Sequence, residues 1–344
     1  MPISSSAPQL TSGEAMDLAV LLGGQGPQAG PNPRVGCVIT SAEGHVLAKG
    51  WHKGAGTPHA EVAALADAHE RGVDVTGATA HVTLEPCNHT GRTGPCAQAL
   101  TDAGIGRVLF AVTDPGEASH GGAATLNANG IEAIHTPHDG AAALIRRWHK
   151  AMTHRRPYVI AKWASTLDGR MAAADGTAFW ITGEQARAHV HQVRGQVDAI
   201  AVGTATVEVD NPSLSARPGG DESGPQPLRV VIGSRPTDGA KVWRDDNALA
   251  IHSHDPAAVL AELHQREVRT LLVEGGPTVL SAFFAAGLVD EVNTYIAPAI
   301  LGDGATAVNG LGIPTMADTL RLTEVTHTPL GADILVTGLV TEGT

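Results

Sequence analysis

The strongest constraint in this 344-residue chain is a set of side chains that stand far apart in sequence and whose chemistry requires them to meet: His59-Ala60-Glu61, Pro86-Cys87 and Cys96. Pro58 and the apolar spacing of Val62, Ala63, Leu65 and Ala66 predict a helix over 59–70 that opens on the first group. A strand over 80–84 runs into the second, and a helix over 96–103 begins at the third. A His and two thiolates make three ligands for Zn²⁺ and leave the fourth tetrahedral position to water. The alternation of these and neighbouring strands and helices implies a layered α/β domain.

Bound zinc lowers the pKa of water from about 15.7 to roughly 7, supplying a nucleophile at neutral pH. A carboxylate two residues after the His, here Glu61, can stay off the metal and carry protons, as the His-x-Glu…Pro-Cys pattern of zinc deaminases requires. The spacing departs from the generic motif, because eight residues rather than two separate Cys87 from Cys96. A structural zinc site and plain buried thiols remain alternatives; His89 is the spare fourth ligand that the structural site would need. Cys37 lies in an apolar strand over 35–39 and reads as core. Three cysteines do not suggest a disulfide framework. The first 13 residues lack the basic and apolar regions of a secretory signal, and no apolar run reaches membrane-span length. The expectation is a cytoplasmic protein.

The length predicts two domains. Residues 1–12 read as a frayed tail, followed by a helix over 14–22, strands near 35–39, 46–48 and 107–112, a short helix before Ile131 and a helix over 140–151. The Arg155-Arg156-Pro157 break separates domains over 1–152 and 153–344. The second alternates again, with strands over 158–164, 197–202, 228–232, 248–251, 270–274 and 291–297, and helices over 184–194, 256–267 and 277–286. The Gly/Pro/Asp-rich stretch 217–227 reads as a mobile loop. A net charge of −12 and only 3% aromatic residues argue against a nucleic-acid partner, which needs a basic face and stacking platforms.

Pro31-Asn32-Pro33-x-Val35-Gly36, Gly50-x-His52, Pro58-His59-Ala60-Glu61-Val62 and Thr83-Leu84-Glu85-Pro86-Cys87-x-His89-x-Gly91-Arg92-Thr93-x-Pro95-Cys96 together resemble the pyrimidine deaminase of riboflavin biosynthesis. That family carries the long Gly-Arg-Thr insert between its cysteines, whereas tRNA adenosine and cytidine deaminases keep the short spacing. The resemblance implies metal ligands His59, Cys87 and Cys96, a proton carrier Glu61, and a substrate pocket lined by Asn32, His52, His89 and Arg92. Asn88 and Gly94 stand where most members have Ser and Pro.

Further segments extend the resemblance to residues 14–340. They are Lys162-Trp-Ala-Ser-Thr-Leu-Asp-Gly-Arg170, Trp180-Ile181-Thr182, Gly203-Thr204-Ala205-Thr206-Val207-x-x-Asp210-Asn211-Pro212-x-Leu214-x-x-Arg217 and Val273-Glu274-Gly275-Gly276-Pro277-Thr278. The Gly-Gly turn into a helix suits an anion, although such turns are also purely structural. No G-x-G-x-x-G with an acidic partner is present, so a standard Rossmann site is not indicated. Together the segments resemble the reductase domain of the same bifunctional enzyme, a dihydrofolate-reductase-like α/β fold using NADPH.

By that resemblance Ser165, Trp180, Thr206, Asp210, Ser234 and the turn Gly276, Pro277, Thr278, Val279, Leu280, Ser281 and Ala282 contact NADPH. Ala178, Arg194, Leu214, Arg217 and Glu274 contact substrate, with both arginines suited to its phosphate, and Lys162 lies near the carbon that receives hydride. Ala178 stands where the family commonly has Ser, a lost hydrogen bond worth about 0.5–1.5 kcal/mol. Arg235, beside Ser234, is a candidate for the 2′-phosphate of the cofactor. The expected protein deaminates a small phosphorylated diaminopyrimidine with Zn²⁺, then reduces its ribosyl group with NADPH. It needs no nucleic acid or membrane, and the resemblance allows a homo-oligomer through the reductase domain. A nucleic-acid deaminase and a non-enzymatic zinc-stabilised binding protein are the competing readings.

Overall fold

Thr11 opens the first helix through reciprocal hydrogen bonds: its hydroxyl accepts from Glu14 N–H, and the Glu14 carboxylate accepts from Thr11 N–H. In this computed structural model residues 9–89 and 94–341 are described. They divide into two compact units that meet between His154 and Arg155.

The first unit runs α1 (Ser12–Gly23), β1 (Gly36–Thr40), β2 (Val46–Trp51), α2 (Ala60–Glu70), β3 (Thr79–Val82), α3 (Cys96–Asp102), β4 (Arg107–Phe110), α4 (Gly122–Ala128), β5 (Glu132–His135) and α5 (Asp139–Thr153). Its sheet has the order β2-β1-β3-β4-β5, with β1 antiparallel to both neighbours and β3, β4 and β5 parallel. Every residue of β1 is buried, because helices cover both faces. Cys37 and Ile39 pack with Ala60 and Ala64 of α2, while Val38 packs with Ala15 and Ala19 of α1 and Ala141 of α5. Two glycines make this approach possible. A Cβ on Gly36 would lie 1.9 Å from the Ala19 carbonyl oxygen, and one on Gly50 2.3 Å from Ala64 N.

The second unit runs β6 (Tyr158–Thr166), α6 (Glu184–Arg194), β7 (Ala199–Gly203), α7 (Thr204–Asp210), β8 (Leu228–Ile232), β9 (Ala248–Ile251), α8 (Pro256–Gln265), β10 (Thr270–Val273), α9 (Pro277–Ala285), β11 (Glu291–Ala297), β12 (Leu322–Leu330) and β13 (Asp333–Val340). Its eight strands are ordered β12-β13-β11-β6-β10-β7-β8-β9. The six from β11 to β9 are parallel, and the β12–β13 hairpin is antiparallel. On one face Val159 and Ala161 meet Leu260 of α8 and Phe283 of α9; on the other Tyr158 and Ile160 meet Val193 of α6 and Val207 of α7.

Five features differ from the sequence expectation. Gln9 bridges to His45 and Leu10 N–H bonds the Gly44 carbonyl, so the end of the expected tail is pinned to a turn. Residues 204–210 form a helix, α7, despite two Thr and two Val, because Val207 has a core pocket to fill. Strand β5 was not expected, being an edge with a mostly exposed face. Hairpin β12–β13 was not expected either, since β12 has the polar run Thr-Glu-Val-Thr-His-Thr and little apolar alternation. The stretch 217–227 lacks regular structure, yet Gln226 ties it back, exchanging two hydrogen bonds with the Ala216 backbone at 2.9 and 2.8 Å.

A buried carboxylate fastens the second sheet at its start. Asp290 accepts both ends of the Arg156 fork, at 2.7 and 2.8 Å, and the Val159 N–H at 2.8 Å. Asp290→Ala leaves a mostly buried guanidinium with only the Pro157 carbonyl, and the Val159 N–H without its acceptor, and should cost about 3–5 kcal/mol. In a urea titration of the full chain, the transition of residues 155–344 moves to lower denaturant while that of the preceding unit stays.

Candidate functional sites

In the first unit, His59 is the N-cap residue of α2 and makes no side-chain cap, so its ring is directed elsewhere. Its Nδ1 lies 3.5 Å from Cys87 Sγ and 3.3 Å from Cys96 Sγ. Cys87 follows β3, and Cys96 begins α3, with its N–H 3.5 Å from Cys87 Sγ. The three ligand atoms lie within 4.8 Å of one another. This is a soft N/S donor set suited to zinc, with three protein ligands. Two sulfurs this close cannot both ionise unaided. Hydrogen bonding from Cys96 draws Cys87 down, while the neighbouring Cys87 pushes Cys96 far up. A divalent cation lets both be thiolates, so the residues fit the metal.

Glu61 sits in the first turn of α2, 4% exposed, and burial raises its carboxyl to about 7. Behind it, His52 Nδ1 lies 3.0 Å from the Pro58 carbonyl, which only accepts, so Nδ1 carries the hydrogen. Its Nε2 therefore accepts from Asn32 Nδ2, 3.0 Å away. Burial lowers the pKa of His52 and favours this neutral form, with its ring edge-on to His59 at 5.5 Å between centroids. His89 is half-buried, and its Nδ1 has no hydrogen-bond partner among the described residues. Arg92, with the Gly-Arg-Thr insert, lies outside the described residues. Cys37 is fully buried and apart from the ligand group.

Glu85 accepts from Asp114 N–H at 3.2 Å and Ala123 N–H at 3.1 Å, holding the segment that carries Cys87 against the backbone after β4. Its signal was a carboxylate directly before Pro-Cys, which sequence alone cannot distinguish from a solvated charge.

In the second unit, a cleft of about 730 Å³ opens at the carboxyl ends of the parallel strands, where such sheets place their ligands. Lys162, Ala178, Trp180, Arg194, Thr206, Asp210, Leu214, Arg217 and Glu274 line it. At its base the Glu274 side chain is 7% exposed. Burial pushes this carboxyl up, but Arg194 and Lys162 outweigh that and hold it at about 2. Arg194 forks it at 2.7 and 2.9 Å, and Lys162 Nζ lies 3.4 Å away. The fork that sequence reasoning offered to a phosphate is therefore engaged with Glu274. Arg217 is exposed, and Ala178 has no polar side-chain atom to offer the cleft.

The expected NADPH residues divide between this cleft and its surroundings. Trp180 is 70% exposed, with the Arg187 guanidinium 4.6 Å from its ring. Asp210 is exposed at the end of α7, and partial desolvation raises its pKa. The Thr206 hydroxyl accepts from Gly276 N–H at 3.2 Å. Ser165 is buried on β6 and does not line the cleft; Ser234 is exposed after β8. Arg235, beside it, is paired with Glu208 at 2.6 Å, a partner that sequence reasoning did not identify.

In the turn into α9, Val279 fills the space left by Gly203 and Gly275, where added Cβ atoms would lie 2.9 and 2.7 Å from it. Leu280 is fully buried core, and the Ser281 hydroxyl accepts from Asn309 N–H. Pro277, Thr278 and Ala282 complete the first turns, and no side chain caps this helix. A glycine-bordered, uncapped helix start fits a dinucleotide's phosphates.

Residues 11–112 match the family described as the cytidine and deoxycytidylate deaminase zinc-binding region, and residues 157–336 match the RibD C-terminal domain. The riboflavin biosynthesis protein RibD of Corynebacterium ammoniagenes is 46% identical over 282 residues, covering 81% of this chain and 83% of that protein. RibD of Escherichia coli K12 is 37% identical over 344 residues, covering 88% and 92%. Among solved structures, Acinetobacter baumannii RibD (form 1) superposes with a TM-score of 0.87 at 35% identity, covering 96% of this chain and 99% of that one. A diaminohydroxyphosphoribosylaminopyrimidine deaminase/5-amino-6-(5-phosphoribosylamino)uracil reductase from Thermotoga maritima gives 0.83 at 30%, with the same coverage.

The metal set is tested by zinc content. Cys87→Ala should lose the metal and unfold more easily, because binding and folding are linked. Cys37→Ala should keep a full complement of zinc, measured by atomic absorption on the purified full chain.

Proposed function

We propose a role for each site residue from one premise: the chain belongs to the RibD family of riboflavin biosynthesis proteins. It is a bifunctional enzyme, a zinc-dependent deaminase joined to an NADPH-dependent reductase. Its substrate is a small pyrimidine. We assign this as 2,5-diamino-6-(5-phosphoribosylamino)pyrimidin-4-one, whose 2-amino group is replaced by water's oxygen with release of ammonia. The ribosyl group of the resulting uracil is then reduced to ribityl.

In the deaminase, His59, Cys87 and Cys96 hold zinc, which supplies an acidified water when bound. Glu61 would accept the two protons of the attacking water in turn, passing one to the ring nitrogen and one to the leaving amine. A carboxyl raised to about 7 by burial is suited to both directions of transfer near neutral pH. Asn32 and His52 orient the pyrimidine beside it, with His89 and Arg92 assigned to the same pocket. The observation that carries this half is three ligand atoms within 4.8 Å beside a buried carboxylate.

In the reductase, bound NADPH would be the source of the hydride that the sugar carbon accepts. Lys162 sets an ammonium beside that carbon, and Glu274 with Arg194 fixes where the ammonium stands. Trp180, Thr206, Asp210, Ser234 and the Gly276 turn serve the cofactor, whereas Ser165 is buried and does not reach the cleft, and Leu214 borders the substrate. Arg217, exposed on the cleft, meets the 5-phosphate. Three cysteines with no disulfide among the described residues, two of them metal ligands, support a cytoplasmic setting.

Two variants test the division of labour. Glu61→Gln should keep zinc and lose deamination by at least about 10²–10⁴, while reducing the deaminated substrate at nearly the native rate. Retained ammonia release removes Glu61 from the mechanism, and lost reduction refutes two separate sites. Arg217→Ala should weaken the phosphorylated uracil by roughly one to two decades in KM, and a dephosphorylated analogue much less. An equal loss with both substrates takes Arg217 away from the phosphate.

A further inference from the structure

His191, on α6, belongs to no motif, yet both of its ring nitrogens have determined roles. Nδ1 lies 3.0 Å from the Ser215 carbonyl oxygen. A carbonyl only accepts, so Nδ1 carries the hydrogen. Nε2 lies 3.1 Å from Arg217 Nη2. A guanidinium only donates, so Nε2 presents its lone pair. Both contacts hold together only in the neutral Nδ1–H tautomer. The same Ser215 carbonyl accepts from Arg194 Nη1 at 3.2 Å, and Arg194 grips Glu274. A hydrogen-bonded chain thus runs from Glu274 through Arg194, Ser215 and His191 to Arg217. An exposed arginine is a floppy phosphate ligand, and fixing it beforehand removes part of the ordering cost of binding.

We propose that His191 is a positioning residue for the substrate's phosphate: neutral, it holds the Arg217 guanidinium at the cleft, and protonated it releases it. This rests on the reading that Arg217 meets the phosphate. The charged groups around His191 are Arg194 on its own helix, Arg217 on the loop after α7 and Glu274 at the end of β10. Arg187, one turn earlier on α6, is turned to the Trp180 ring and the Thr182 carbonyl. Burial is the largest influence on His191, followed by the two neighbouring arginines, and together they lower its pKa and favour the neutral form. Protonation would set N–H against N–H and add a cation beside Arg217.

Steady-state reduction by the full chain, at saturating NADPH, tests this with two amides. In His191→Asn the amide nitrogen can keep the Ser215 contact, but the side chain is too short to reach Arg217. In His191→Gln the amide oxygen can stand where Nε2 does. Asn should raise KM for the phosphorylated uracil roughly three- to tenfold, with kcat within about twofold, and Gln should restore most of the loss. With the dephosphorylated analogue neither variant should move KM. As pH falls from about 8 through and below the range where an unperturbed histidine titrates, native KM should rise at the acid end relative to that of the Gln variant, because the His191 pKa is lowered and an amide does not titrate.

A native KM that falls relative to Gln at low pH would show His191 meeting the phosphate as a cation, and would overturn the proposal. So would an unchanged KM in Asn while Arg217→Ala raises it, a failure of Gln to restore, or a loss confined to kcat. An unchanged KM in Arg217→Ala would instead remove the underlying reading.

Discussion

Glu274 is a carboxylate almost wholly removed from water, and what keeps it ionised is the pair of cations Arg194 and Lys162. The reductase cleft depends on this balance. Without the carboxylate, two cations would face each other at the end of β10; without the cations, burial would protonate it. The first unit faces the same demand, with the same sign. Cys87 and Cys96 bring two ionisable sulfurs beside each other, and a divalent cation is what allows both to be charged. Each active centre is thus a buried charge answered by an opposite one.

Holding such centres takes rigid elements at close range. Gly36 and Gly50 let α1 and α2 lie against β1 and β2, which sets His59 and Glu61 at the end of a helix pressed onto the sheet. Glu85 then secures the segment bearing Cys87 through two backbone N–H groups. In the second unit Gly203 and Gly275 make room for Val279, and so fix the first turn of α9 beside β7. The glycines at these sites serve packing first, and their consequence for binding follows from the backbone they bring near.

Arg194 shows how a correct residue type can mislead about its partner. Its guanidinium suits a phosphate, but its fork is engaged with Glu274, which leaves Arg217 as the exposed cation of the pair. Arg235 is similar, since its partner Glu208 is contributed by α7. A charge in a sequence announces what it can bind; only the fold shows what already binds it.

His59-x-Glu61, Pro86-Cys87 and Cys96, with the lengths of their elements, are legible as a zinc centre because metal ligation restricts residue type and spacing so tightly. The alternating strands and helices are legible because a parallel sheet covered on both faces demands short continuous apolar runs, and β6 and β10 carry them clearly. Strands β5 and β12 lack that signal: they are largely exposed, and their pairing comes from neighbouring strands rather than from their own side chains. His191 was silent for a related reason. A histidine's role is set by what faces its two nitrogens, and here those partners stand 24 and 26 residues away. Residue chemistry and periodicity are local and can be read along the chain, whereas hydrogen-bond partners and charge pairs are decided by which distant segments the fold brings within about 3 Å.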